Sequence, residues 1–204
     1  MQEISWKDNL RIAWFGCFLT GASISLVVPF MPIFVEQLGV EGDQVAFYSG
    51  LAISVSAVSA AFVSPIWGIL ADKYGRKPMM IRAGLAMTIT MGGLAFVPNV
   101  FWLLFLRFLN GVFTGFVPNA TALIASQVPK DKSGYALGTL STGVVAGTLT
   151  GPFVGGLIAE FFGIRNVFLL VGSFLFLAAI LTILFIKEDF QPVTKEKALP
   201  TKEL

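Results

Sequence analysis

Long apolar runs follow one another from Ile12 to Ile186, separated only by short breaks that carry charges, Asn or Pro. Several of them reach the ~20 residues that a helix needs to cross the hydrocarbon core of a bilayer. This feature leaves the chain few choices. Lipid offers no partner to backbone N–H and C=O groups, so each run must satisfy its own as a helix. Charged residues make up 13% of the 204 residues, about half of the ~25% usual in soluble domains. With 55% hydrophobic residues, a soluble fold would lack the polar surface to cover its core. The sequence therefore predicts an all-α membrane protein.

Six spans fit, at about 12–34, 45–71, 79–97, 101–126, 135–162 and 167–186, with breaks at "VPNVF", "VPKDKSG" and "GIRN". The cations then sort by side. Lys7, Arg11, Lys73, Arg76, Lys77, Arg82, Lys130, Lys132, Lys187, Lys195, Lys197 and Lys202 fall on one side, Arg165 alone on the other, and Arg107 inside the fourth span. Such a bias places both termini in the cytoplasm. The first apolar stretch is too long for the core of a secretory signal and has no small-residue cleavage site, so no leader is expected. Residues 1–188 form the six-span unit, and 189–204, ending "VTKEKALPTKEL", read as a cytoplasmic linker or tail.

The chain repeats itself. "SPIWGILADKYGRK" from Ser64 aligns with "GPFVGGLIAEFFGIRN" from Gly151: Pro65 with Pro152, Gly68 with Gly155 and, after one inserted residue, Ala71 with Ala159, Asp72 with Glu160 and Gly75 with Gly163. Spans one and four echo each other around Pro29 and Pro118. Three spans per copy is an odd number, so the copies lie upside down relative to each other. Inverted triplets point to transport, with substrate near the midplane where the repeats meet.

Three stretches carry the candidate chemistry. "GILADKYGRKP" sets Asp72 among cations, with a bare helix surface at Gly68 and a turn requiring positive φ at Gly75. Asp72 is placed to pair with Arg76 or to cap a neighbouring helix. In the fourth span Arg107, Asn110, Thr114, Pro118 and Thr121 fall on one face of a continuous helix. A charge at that depth costs about 3 kcal/mol on insertion scales, so Arg107 must face the bundle or a wet cavity. One use is structural, the guanidinium bonding a neighbouring helix's carbonyls. The other is coupling or substrate binding. In the fifth span Gly147, Gly151 and Gly155 recur every four residues, a close-packing face, and Pro152 deletes a helix hydrogen bond and is expected to kink or loosen the helix.

These stretches resemble three motifs of the major facilitator superfamily. "GILADKYGRKP" resembles motif A, which implies a cytoplasmic latch of Gly68, Asp72, Gly75, Arg76 and Lys77 gripping a helix of a second six-helix half. "LLFLRFLNGVF" is similar to motif B at Leu103, Arg107 and Gly111, with Asn110 where Gln is usual and Phe113 where a small residue is usual; Arg107, Asn110, Gly111 and Thr114 are thereby implied in proton coupling or the substrate cavity. "GTLTGPFVGG" resembles motif C of drug/proton antiporters, which implies a leak-sealing seam of Gly147, Gly151, Pro152, Gly155 and Gly156. The wider chain, in "WKDNLRIAWFG", "LVVPFMPIFVE" and "KEDFQPV", looks like the twelve-span multidrug efflux proteins of Gram-positive cocci. The resemblance implies export of amphipathic drugs, fluoroquinolones among them, in exchange for protons. The partners are the bilayer, the drugs, protons and a second half absent from this chain. A six-span fragment that inserts without transporting is the alternative, and a sugar symporter of the same fold is a third reading that the Gly-Pro seam argues against.

The remaining expectations are negative. The chain has no His, so neither a His triad nor a His-based metal site is available. Cys17 is the single cysteine and has no intrachain partner. No enzyme, catalytic group, metal, cofactor or nucleic-acid partner is expected, with a proton gradient as the energy source. No carboxylate lies deep in a span, since Asp72, Glu36 and Glu160 sit at boundaries, and Arg does not titrate usefully. Either a boundary carboxylate or an acid in the second half must carry the proton.

Overall fold

The computed structural model describes residues 5–190. Six helical stretches are long and apolar enough to cross a membrane: Trp6–Gln37, Gln44–Tyr74, Arg76–Phe96, Val100–Gln127, Lys130–Phe162 and Ile164–Phe185. The first comprises α1 (Trp6–Val27), a 3-10 turn at Val28–Phe30 and α2 (Met31–Gln37). Then follow α3 (Gln44–Tyr74), α4 (Arg76–Gly93), α5 (Val100–Phe113), α6 (Phe116–Gln127), α7 (Ser133–Phe162) and α8 (Ile164–Phe185). Among the described residues the secondary structure is helical throughout. The last residues of the expected linker, with Lys195, Lys197 and Lys202, lie outside the described residues.

The two triplets match in detail. α3 and α7 are the long members, 31 and 30 residues, each running unbroken through an internal proline, Pro65 or Pro152. Each ends on a glycine at positive φ, Gly75 at 100° and Gly163 at 83°, whose N–H donates to Ala71 O or Ala159 O at 3.0 Å. Only glycine enters that region without a Cβ penalty. The packing follows the same interchange. α1 packs chiefly on α7 and α5 on α3, while α4 packs on α8. Exchanging the triplets turns the first pairing into the second and leaves the third unchanged.

At Pro152, where the sequence suggests a kink or loosening, α7 runs on as one unbroken helix. A proline leaves the carbonyl four residues earlier without its donor. Here Ser25 of α1 donates its hydroxyl to Thr148 O at 2.7 Å.

The fourth span departs from expectation. It is not one continuous helix: α5 stops at Phe113 and α6 begins at Phe116. Gly115, at φ 132°, turns the chain where no other residue would do so cheaply, and Pro118 has no N–H to offer Thr114 O. Arg107, Asn110, Thr114, Pro118 and Thr121 are therefore not one stripe. The first two lie on α5, Thr114 sits in the break, and Pro118 and Thr121 lie on α6. Irregular backbone at membrane depth survives only where protein or a cavity surrounds it, and both surround this break.

Candidate transport path and its clasps

The α1–α7 seam is built by missing side chains. A Cβ at Gly143 would meet Trp14 O at 2.7 Å, and one at Gly151 would meet Ala22 O at 2.6 Å. A Cβ at Gly147 would overlap Phe18 O and come within 2.7 Å of Ala22 N, and one at Gly155 would press on Phe30 and Leu26 at 2.8–2.9 Å. Gly21 answers from α1, with Val144 O 2.6 Å from its own would-be Cβ. The backbones touch because no methyl separates them. Gly156 does not belong to the contact: among the described residues nothing lies within 4 Å of its would-be Cβ.

Arg107 is 7% exposed and its donors are spent inside the bundle. Nε donates to Ala52 O at 3.0 Å and Nη2 to Ser56 Oγ at 2.9 Å, both on α3, while Nη1 meets the Met91 sulfur at 3.7 Å. The bond to Ala52 O is the contact that the structural use calls for. Asn110 Nδ2 donates to Thr90 Oγ1 at 3.1 Å, tying α5 to α4. Gly111 lets α5 lie directly on α3, where a Cβ would overlap Ser59 Oγ and Ser56 O. Phe113, unusual for its motif position, packs beside Trp67, ring centroids 6.3 Å apart.

A cavity of about 480 Å³ opens at the break in the fourth span. Thr20 and Ile24 of α1, Ser64, Trp67 and Gly68 of α3, and Thr114, Gly115 and Pro118 form much of its wall. Gly68 thus supplies a bare surface, as expected, but with nothing within 4 Å of its would-be Cβ among the described residues. Arg82 departs from its expected place among the inner-face cations. Its guanidinium lies 3.5 Å above the Trp67 ring, and Nη2 donates to Thr114 O at 3.2 Å.

At the end of the bundle that holds the α3–α4 turn, Asp72 pairs with Arg76 and does not cap a helix. The capping acid is Glu188, absent from the sequence expectations. Its carboxylate accepts from Arg76 N at 2.8 Å and Lys77 N at 2.7 Å, at the positive start of α4. Lys77 returns the favour at the negative end of α8, donating through Nζ to Ile186 O at 2.6 Å and Ile183 O at 3.1 Å. Asn9, only 2% exposed, adds a staple. Its Nδ2 donates to Gln127 Oε1 at 2.7 Å and Lys187 O at 2.6 Å, and its Oδ1 accepts from Lys187 N at 3.0 Å. Glu188 stands two residues beyond Ile186, the end of the expected sixth span, so only its acidity after a helix end hinted at capping. On the opposite face Arg165 donates to Ala95 O at 2.7 Å and Val97 O at 3.2 Å, closing the end of the third span.

We expect Glu188→Gln to lower the unfolding free energy of the detergent-solubilised chain by about 1 kcal/mol, the scale of one charged cap. Glu188→Asp, with a shorter arm, is expected to fall between. An unchanged midpoint for Gln would show that the cap contributes nothing.

Six lipid-length helices in interchanged triplets, around a cavity at a broken span, define a multi-pass membrane transport protein. The chain belongs to the Major Facilitator Superfamily, whose family model matches residues 13–203. It is 88% identical over 204 residues to the multi-drug resistance efflux pump PmrA of Streptococcus pneumoniae serotype 4, covering 100% of this chain and 51% of that pump. A PmrA homolog of Lactococcus lactis subsp. lactis is 59% identical over 203 residues, with 100% and 50% covered. The multidrug resistance protein MdtG of a Rahnella species is 52% identical, with 98% and 49% covered. The chain thus spans about half the length of these relatives. Among solved structures it superposes on the human organic anion transporter MFSD10 with TM-score 0.77 at 16% identity, covering 89% of this chain and 47% of that one. The POT family transporter PepTSo gives TM-score 0.81 at 15% identity, covering 94% and 40%.

Proposed function

We propose that this chain supplies the N-terminal half of a secondary transporter exporting amphipathic drugs, fluoroquinolones among them, in exchange for protons by alternating access. The observation that carries this reading is the cavity at the broken fourth span. Its wall mixes Ile, Ala and Trp surface with the hydroxyls of Thr20, Ser64 and Thr114 and the amide of Asn119, the mix that suits loose, amphipathic ligands. The names of the relatives, all multidrug efflux or resistance proteins, favour drugs over sugars.

A second six-helix half completes the path. Only 6% of the membrane window of α3 and 17% of that of α7 is buried within this bundle, against 56% for the first span. Phe62, Ile66 and Ile69 on α3 and Leu149 and Phe153 on α7 stand exposed. A half rocking against this one would cover those faces. The inner-face cations put both termini in the cytoplasm. The Asp72–Arg76 pair and bare Gly68 form the latch for the partner helix, and the Gly147–Gly151–Gly155 seam, with Pro152, seals the path. The acid that carries the proton lies in the second half, because the acids of the described spans stand at their ends.

Dye efflux tests the reading in cells expressing this chain alone, beside cells expressing it extended through a second half. The extended form is expected to export, and to stop when an uncoupler collapses the proton gradient. The short form is expected to insert without exporting. Export by the short form would contradict the half-transporter reading, and no export by either would contradict drug efflux.

A further inference from the structure

The break in the fourth span frees particular carbonyls. In a continuous helix Val112 O would accept from Phe116 N, and Thr114 O would face Pro118, which has no N–H. A freed carbonyl away from water costs free energy unless it finds another donor. Both find one, and from two side chains that touch each other. Trp67 Nε1 donates to Val112 O at 2.6 Å, and Arg82 Nη2 donates to Thr114 O at 3.2 Å. The guanidinium lies 3.5 Å above the indole ring, which fixes its plane.

We infer that Trp67 and Arg82 are positioning residues that hold the fourth span in its broken form and so set the shape of the cavity. An arginine serving only as an inner-face anchor would extend its charge to the headgroups. Arg82 turns inward instead, at the cost of leaving Nε and Nη1 buried without a hydrogen-bond partner among the described residues. Its orientation is explained by what it holds, the indole face and the Thr114 carbonyl. The pair is placed on α3 and α4, so these two helices dictate the backbone of a third. That this cavity is the drug path rests on the function proposed above; the hold on the break does not.

The test needs no drug. Cys17 is the single cysteine and is fully buried, so with Cys17→Ala a reporter thiol at Ser64→Cys on the cavity wall reads cleanly. Maleimide labelling is followed in membranes containing this chain. Arg82→Gln is expected to slow labelling about tenfold, the scale of one lost hydrogen bond to a charged group. Trp67→Phe, which keeps a ring and loses the N–H, is expected to slow it about threefold. Gly115→Ala with Pro118→Ala restores a continuous helix, and there Arg82→Gln is expected to change the rate less than about twofold. With Pro118→Ala alone, which adds the N–H facing Thr114, the Arg82→Gln effect is expected to shrink to about threefold. Equal effects in the broken and restored backgrounds, or none in the broken one, would overturn the inference. If Arg82→Gln prevents accumulation in the membrane, the restored background must rescue it; absence from both would likewise overturn it. Lost efflux with this labelling pattern intact would count against the drug-path reading only.

Discussion

Gly147→Ala is expected to destabilise the bundle by about 3 kcal/mol, the upper end of overpacking costs. The reason is what the added methyl meets. Phe18 O and Ala22 N belong to helix backbone, which cannot swing aside as a side-chain tip can. Gly156→Ala, nine residues on in the same motif, is the control. Its Cβ enters open space, and Ala is the better helix former by about 1 kcal/mol, so its midpoint is expected to hold or rise. Denaturant unfolding of the purified chain in micelles reads both. Matching losses at the two glycines would refute the seam as drawn here.

Arg107→Ala is expected to cost this half about 2–4 kcal/mol on its own, with no second half present. The guanidinium joins α5 to two consecutive turns of α3, at Ala52 O and Ser56 Oγ. Its removal leaves the Ser56 hydroxyl without that donor and opens a void beside Met91. Arg107→Lys keeps a charge but is expected to recover less than half the loss, because one ammonium cannot repeat a planar fork. Micellar unfolding of the three chains decides it. A wild-type midpoint for Ala would remove the structural role and return Arg107 to coupling or to a substrate carboxylate. In the extended pump, efflux by a properly inserted Arg107→Ala variant separates stability from coupling.

Several features could be read in advance because each obeys a rule local to the chain. Gly75 had to take positive φ at a turn between two charged helix ends, and it does. The fourfold spacing of Gly147, Gly151 and Gly155 announced a packing face. The place of the spans followed from apolar length. Other features were illegible because the deciding atom lies far away in sequence. Pro118 and Gly115 are each tolerated in a straight membrane helix. Their joint effect depends on Trp67 and Arg82 being there to receive the freed carbonyls. Arg82 passed for an ordinary inner-face cation for the same reason. Glu188 became a cap only because α8 returns the chain beside the start of α4.

By itself the sequence determined that this is a six-span helical membrane protein, because apolar runs of that length satisfy their backbone polar groups in hydrocarbon as helices, and the repeat of three spans per copy set the two triplets upside down relative to each other. Tertiary structure alone decided where the helices stop being regular and which guanidinium holds what. Those outcomes turn on donors supplied across the bundle, by residues dozens of positions away along the chain.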